Sequence, residues 1–320
     1  MTTRITFGGY QGDNSVHTRG AQVFCAALER LAGDAVEVVF RQNIVTQGHK
    51  ASDLLSLTES GDLDGCYFSS SYLASRVPEL ALFDQHFMVP DRSRAYAVLD
   101  GSLGARLARE VTDNTGFSVL GYWDNGLRHI STGGTAIRGL ADCAGLTLRT
   151  LASDDHQRVF RALGFDPVAI DVRDLPDAVA SGKVDAQENP LTNIYNFGLH
   201  KTHRTITLTA HLLGVALVLF NRKAVEGWPP EVRAAVTAAV VEATAAQRRL
   251  AEEDDDICAR ALTAEGATLV TPTDAERAAL ADAARAEVDK TRARFGADLI
   301  ALFERDLAGA GTRKGTTDAI

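Results

Sequence analysis

A chain of 320 residues with a formal net charge of −9 has room for two lobes of ordinary size, and it carries no basic stripe that could neutralise phosphates. That balance argues against a nucleic-acid partner, and no polybasic segment addresses an anionic membrane surface. Its hydrophobic content of 45% and charged content of 23% are those of a globular protein with a sizeable core.

Residues 4–8 alternate as a strand does, with Ile5 and Phe7 on one face. A helical stripe follows over 16–32 (Phe24, Leu28, Leu31), then a strand over 36–40, a helix over 50–60, a turn over 61–65 and a strand over 66–68. This β-α-β-α-β rhythm predicts a parallel, doubly wound sheet. A second series begins with a strand over 117–122 and an extended stretch over 126–132. It continues with a strand at Arg149, a helix over 154–163, a strand over 168–170 and a helix over 173–181, so a second sheet of the same class is expected. The apolar run 208–221 suits a buried strand, or one passing between two sheets.

The remainder reads as helical. Pro229-Pro230 opens a helix with Val232, Val236 and Val240 on one face. Thr273 and Glu276 form a capping box, and the helix they open should carry Val288, Phe295, Leu299, Leu302 and Phe303. Five consecutive acids at 252–256 read as the solvated face of a long helix, and 309–320 as a frayed tail. No Pro/Gly-rich linker separates the halves, so the chain is expected to cross between them more than once.

Four scattered cysteines (Cys25, Cys66, Cys143, Cys258) offer neither a CxxC pair nor histidines at metal-ligand spacing, so no metal site, cofactor or disulfide framework is expected. The run 212–220 is far shorter than the roughly 20 residues that span a bilayer. The first residues lack the charged segment, apolar core and cleavage site of a secretory signal. Gly8-Gly9-Tyr10-Gln11-Gly12 fits no phosphate-binding pattern, and Ser69-Ser70-Ser71 lacks the glycines of a nucleophile elbow. The dispersed histidines fall in no catalytic frame.

Arg149 is the leading candidate for chemistry. In Gly145-Leu146-Thr147-Leu148-Arg149-Thr150 the leucines face one side, while Thr147 and Arg149 face the other. The arginine falls near the strand's C-terminal end, where open α/β sheets present ligands. Its planar guanidinium can grip a carboxylate through two parallel hydrogen bonds. The segment 121–129 supplies a second arginine, Arg128, and the polar segment 185–190 supplies Asn189, whose amide could meet the same oxyanion.

At these residues the chain resembles the solute-binding proteins of TRAP transporters, in their dicarboxylate-receptor (DctP) branch. The matching pieces are WDNGLR (123–128), GLTLR (145–149), RALGFDPVAI (161–170), DAQENPL (185–191), LTAH (208–211) and the WPPE helix start (228–231). The resemblance implies a two-lobed α/β fold of the type II periplasmic-binding-protein kind, each lobe a doubly wound sheet flanked by helices, with long C-terminal helices. Lobe I would comprise 1–124 and 212–250, and lobe II 125–211 and 251–320. It implies an extracytoplasmic, periplasmic receptor without catalytic activity, closing on a small mono- or dicarboxylate and delivering it to the small and large membrane subunits of a TRAP permease. Arg149 would form the main salt bridge, helped by Arg128 and Asn189, with Tyr10, Ser69, Ser70 and Tyr72 lining the first lobe and Trp123 also in the ligand set. Ala186 replaces the family's usual glycine. Ser69 stands where relatives that look specific for sialic acid carry a glutamate, which favours a smaller acid.

Two other readings stay open. A leaderless sensory or cytosolic binding protein could use the same fold without a permease. A hydrolase or lyase using His129 or His211 as base would need a nucleophile or metal within hydrogen-bond reach.

Overall fold

The computed structural model describes residues 2–89 and 91–309. The first series of the predicted rhythm is β1 (Thr3–Gly8), α1 (Val16–Ala32), β2 (Val36–Arg41), α2 (Asp53–Ser60) and β3 (Gly65–Ser69), with β1 parallel to both β2 and β3. Local chemistry sets the limits of α1. The Ser15 side chain accepts the His17 N–H at its start, and at its end Gly33 takes φ +51°, a region glycine enters without strain. Two helices, α3 (Arg92–Leu99) and α4 (Ser102–Asn114), lead into β4 (Phe117–Thr132).

The second series contains α5 (Leu140–Cys143), β5 (Thr147–Thr150), α6 (Asp154–Ala162), β6 (Asp166–Ala169), α7 (Leu175–Ala180), β7 (Ala186–Pro190) and α8 (Leu191–Asn196). The chain then returns through β8 (Thr205–Asn221), α9 (Arg222–Gly227), α10 (Pro230–Ala264), β9 (Thr268–Val270), α11 (Asp274–Arg292) and α12 (Ala297–Gly309).

Instead of two separate sheets, one hydrogen-bonded path runs β2-β1-β3-β8-β4-β7-β5-β6, with β9 on β8. The reason is the length of β4 and β8, 16 and 17 residues, which pair antiparallel through both halves. The strand expected over 117–122 and the extended stretch over 126–132 are one strand. Register shifts at Asp124/Leu127 and Arg128/Ile130 bend the pair where one half gives way to the other.

The apolar run in β8 is explained by cover on both faces. Val215, Leu217 and Leu219 join a core with Leu54, Phe68, Leu103 and Phe117, while Ala216, Val218 and Phe220 join a second with Phe7, Phe24, Trp123 and Val236. The other half has its own pair of cores, around Leu148 and Phe160 and around Val184, Ile206 and Leu262. Leu31, expected on the α1 stripe, is 43% exposed.

Helix α10 spans both halves. Val232, Val236 and Val240 pack in the first half, Cys258 and Leu262 in the second. Its acidic run is not wholly solvated: Asp254 is buried, and Asp255 pairs with Arg92 at 2.7 Å, because the helix lies against the bend in β4, where Arg92 also holds Asp124 at 2.7 Å. The capping box at Thr273 and Glu276 forms, but the helix it opens ends at Arg292. Phe295, Leu299, Leu302 and Phe303 therefore lie beyond it. Helix α12 returns to the first half, burying Phe303 there and placing Asp306 Oδ2 2.8 Å from the Leu103 N–H. Assigning 251–320 as a block to the second lobe does not describe that packing. Most of the expected tail, 310–320, lies outside the described residues.

Candidate functional site

The second half brings Arg128, Arg149, Glu188 and Asn189 together. In β5, Leu148 faces the core and Arg149 takes the opposite side, paired in register with Gln187 of β7. Arg128 of β4 sits opposite Pro190, and its neighbour His129 opposite Asn189. Both arginines are 1% exposed, yet their surroundings differ.

Arg128 is occupied. Its Nε and Nη2 bond the two carboxylate oxygens of Glu188, Nη2 to Oε1 at 2.8 Å, and Nη2 also reaches the Glu188 carbonyl at 2.7 Å. Burial alone would raise the Glu188 pKa, but the Arg128 charge, with hydrogen bonds from His211 and Arg128, outweighs it and holds the carboxyl well below its ordinary range. Nothing in the sequence reading singled out Glu188. An acid between Ala186-Gln187 and Asn189-Pro190 in the middle of a strand must find a cation or cost several kcal/mol of desolvation, and that requirement was the available signal.

Arg149 is unoccupied. Its Nε donates to the Ile170 carbonyl at 2.9 Å, and among the described residues no carboxylate lies within ion-pairing distance of it. Burial pushes its pKa down, with Tyr72 and Glu188 opposing and Arg128 adding to the decrease. An arginine still stays charged, so a buried guanidinium here faces the desolvation cost of a missing anion.

Asn189 is engaged by its neighbours. Its Nδ2 donates to Gln187 Oε1 at 2.6 Å, and its Oδ1 accepts from Asn193 at 3.3 Å and from Arg128 at 3.5 Å. Tyr10 and Tyr72 from the first half lie within the electrostatic reach of both arginines. Burial raises each phenol's pKa more than the arginines lower it, so both remain neutral donors. Ser69 Oγ is 3.5 Å from Ser71 Oγ, and the fully buried Ser70 hydroxyl has no hydrogen-bond partner among the described residues.

Trp123 falls elsewhere. It is fully buried in the first-half core, its indole N–H donating to Thr244 at 3.2 Å and its ring 5.5 Å from Tyr67. The bend at Asp124/Leu127 breaks the alternation between Trp123 and Arg128, so their nearness in sequence does not carry over to the site.

A cleft of about 330 Å³ opens between the halves, lined by Tyr10, Gln11, Asn14 and Asn43 from the first and by Arg173 and Asn193 from the second, among others. Arg149 is not part of that lining. Tyr10 connects the two regions, as does Asn193 through its bond to Asn189. Among the described residues Gln11 bonds Asn193 across this cleft at 3.4 Å and Ser52 bonds Asp171 from one half to the other at 3.3 Å, so the halves stand closed on one another.

Both histidines weighed as bases serve the bend. Ala210 takes φ +43°, costly for a residue with a Cβ, and is fixed by its N–H to His129 Nδ1 (3.1 Å) and its carbonyl to Arg277 Nη2 (3.1 Å). Burial, together with His211 and nearby arginines, pushes the His129 pKa down to about 3. His211 sits between Thr209 Oγ1 (2.7 Å) and Glu188 Oε2 (3.4 Å), an order of groups that resembles a nucleophile-base-acid chain. Thr209 is fully buried, and Glu188 is committed to Arg128.

No helix among the described residues is long and apolar enough to cross a membrane. Residues 7–294 match the family model of the bacterial extracellular solute-binding proteins, family 7, DctP. The chain is 28% identical over 233 residues to the 2,3-diketo-L-gulonate-binding periplasmic protein of Escherichia coli, covering 73% of this chain and 70% of that one. A TRAP periplasmic solute-binding protein from Sulfurospirillum deleyianum, solved with bound succinate, superposes with a TM-score of 0.88 at 28% identity, over 95% of this chain and 99% of that one. The fold is also that of a sugar acid binding protein from Advenella mimigardefordensis in complex with galactonate, with a TM-score of 0.91 at 23% identity over 97% and 99% of the two chains. With nearly its whole length matched, the chain belongs to the DctP family of bacterial extracellular solute-binding proteins.

Proposed function

We propose that the protein is an extracytoplasmic receptor that binds a small organic acid by closure of two lobes and delivers it, in the periplasm, to the membrane subunits of a TRAP-type transporter. The observation that supports this most is Arg149, buried and, among the described residues, with no carboxylate within ion-pairing distance. A carboxylate leaving water needs a charged partner and filled lone pairs, and the free edge of this guanidinium offers both. Relatives named for C4-dicarboxylates and for 2,3-diketo-L-gulonate, and a neighbour holding succinate, support the same ligand class.

In this reading the roles divide. Arg149 grips the acid, while Tyr10 and Tyr72 offer phenolic donors from the opposite lobe. Arg128, tied to Glu188, orients Asn189 instead of touching the carboxylate with a free charge. Lobe I comprises the first series with the C-terminal half of β8 and α12, and lobe II the second series with α11. Closure is favoured only as far as the ligand binds the closed form better. The receptor binds and releases its ligand unchanged.

Titration calorimetry on Arg149→Ala, using the tightest acid from a thermal-shift screen, tests the assignment. The expected loss is about 2–5 kcal/mol, as for truncating one partner of a buried charged pair. Near-wild-type affinity in the variant would rule out the clamp.

A further inference from the structure

Asn189 is one member of a file of buried polar side chains, with Ser15 and Gln11 in the first half and Asn193, Gln187, Ser131 and His203 in the second. Strand alternation sets Ser131 of β4 and Gln187 and Asn189 of β7 on the face that carries Arg149. The hydrogen bonds along the file run in one sense throughout. The His17 N–H donates to Ser15 Oγ at 3.2 Å, and the Ser15 hydroxyl donates to Gln11 Oε1. Gln11 Nε2 donates across the cleft to Asn193 Oδ1 at 3.4 Å, and Asn193 Nδ2 to Asn189 Oδ1 at 3.3 Å. Asn189 Nδ2 donates to Gln187 Oε1 at 2.6 Å, and Gln187 Nε2 to Ser131 Oγ at 2.6 Å. Ser131 Oγ stands 3.5 Å from His203 Nδ1, and His203 Nε2 lies 3.3 Å from the Val184 carbonyl.

Groups that cannot change role fix this sense. One end of the file is a backbone N–H, which only donates, and the other a backbone carbonyl, which only accepts. In the middle Arg128 Nη2, also only a donor, reaches Asn189 Oδ1 at 3.5 Å, so the amide oxygen has to face it. Asn189 Nδ2 is then left for Gln187, whose amide turns its oxygen to Asn189 and its nitrogen to Ser131. The Ser131 hydroxyl, accepting from Gln187, sends its own proton to His203 Nδ1, which leaves the Nε2 proton for Val184. Burial lowers the His203 pKa, with Val184 and Asp185 opposing, which agrees with a neutral ring. Reversing any one amide would set two oxygens or two NH2 groups face to face, which is costly away from solvent. The same sense leaves one Asn189 N–H without an acceptor among the described residues.

We propose that Gln187, Ser131 and His203 are positioning residues that hold Asn189 as a donor towards the bound acid, and that Gln11 is the latch by which lobe closure joins this chain. The inference deepens the receptor reading above and rests on it for the role of Asn189. Of the side chains in the file, only Ser15 and Gln11 belong to the first half, so the Gln11–Asn193 bond exists only while the lobes are together. Closure thereby fills the Asn193 oxygen and stiffens the amide on which Asn189 leans.

Two measurements on the full chain test this. The first needs no ligand, because the file from Asn193 to Val184 lies within one half. Nitrogen-15 NMR should show the His203 proton on Nε2, and Ser131→Ala should shift the side-chain NH2 resonances of both Gln187 and Asn189. A His203 proton on Nδ1, or Asn189 resonances that stay in place, would overturn the positioning chain. The second is stopped-flow binding of succinate, galactonate and 2,3-diketo-L-gulonate. For the tightest of the three, Gln11→Leu should raise the dissociation rate constant at least about 10-fold and change association by less than about 3-fold, because the latch forms after the ligand has entered. The near-constant association rate also shows that the variant is folded. Gln187→Leu should act in the same direction, and the double variant should exceed the larger single effect by less than about 3-fold, where independent contacts would multiply. An unchanged dissociation rate in Gln11→Leu, or effects that multiply, would overturn the latch. Failure of all three acids to bind the parent would count against the receptor reading, and with it the roles of Asn189 and Gln11, while the NMR result on the file stands by itself.

Discussion

Arg128 and Arg149 occupy similar places in the fold, on adjoining parts of one sheet, both with 1% exposure. One has a carboxylate across two hydrogen bonds; the other has a single backbone carbonyl. Burial therefore does not distinguish a structural arginine from a binding one. The distinction is whether the protein itself supplies the counter-charge. Where it does, the pair holds β4 to β7 and the charge is spent internally. Where it does not, the guanidinium is left for the ligand that the proposed function assigns to it.

The largest effect should come from breaking the occupied side. Glu188→Gln leaves Arg128 buried beside a neutral amide and should cost about 3–5 kcal/mol of unfolding free energy in urea. A loss under about 1 kcal/mol, the worth of an exposed pair, would mean that the two arginines are not so different.

A pH titration of the ligand-free protein extends the comparison to two buried histidines kept neutral, His129 at the bend and His17 stacked on Tyr67 in the first half. Burial lowers the His129 pKa to about 3 and that of His17 to about 4. With folded pKa values below the unfolded value near 6.5, the unfolded state takes up the protons first. Their contribution is nil above that value, and stability falls as pH drops from about 6.5 towards 4, by about 1.4 kcal/mol per pH unit for each histidine. Urea midpoints that stay flat between pH 7 and 5 would count against neutral burial of these rings.

The smallest effect belongs to the bend. Ala210→Gly relieves the positive φ, worth about 1–2 kcal/mol, against a backbone-entropy cost of about 0.5–1 kcal/mol, so a net gain of up to about 1.5 kcal/mol is expected in thermal melts. A clear loss would show that the strain at Ala210 is offset by contacts of its methyl group.

Much of this was legible in the residues, because the informative signals were local. The β-α-β rhythm, the Thr273 cap and the alternation around Arg149 each depend on a few neighbours along the chain, and the structure keeps them. The signals that failed depend on pairing at a distance. That the two series share one sheet follows from the pairing of β4 with β8, which lie side by side only in space. Glu188 finds Arg128 across 60 residues of sequence. Trp123 enters the ligand set only through the family resemblance of the segment 123–128. The bend within that segment turns the indole into the first-half core instead. Asp255 seemed solvated because the helix alone cannot reveal that Arg92 packs against it.

The central claim is that one arginine is filled and its neighbour vacant. Urea denaturation of ligand-free Arg128→Met and Arg149→Met, measured side by side, tests it most directly. Arg128→Met strands the Glu188 charge and should lose about 3–5 kcal/mol, whereas Arg149→Met removes an uncompensated buried charge and should be neutral or more stable than the parent. Equal losses in the two variants would contradict the account.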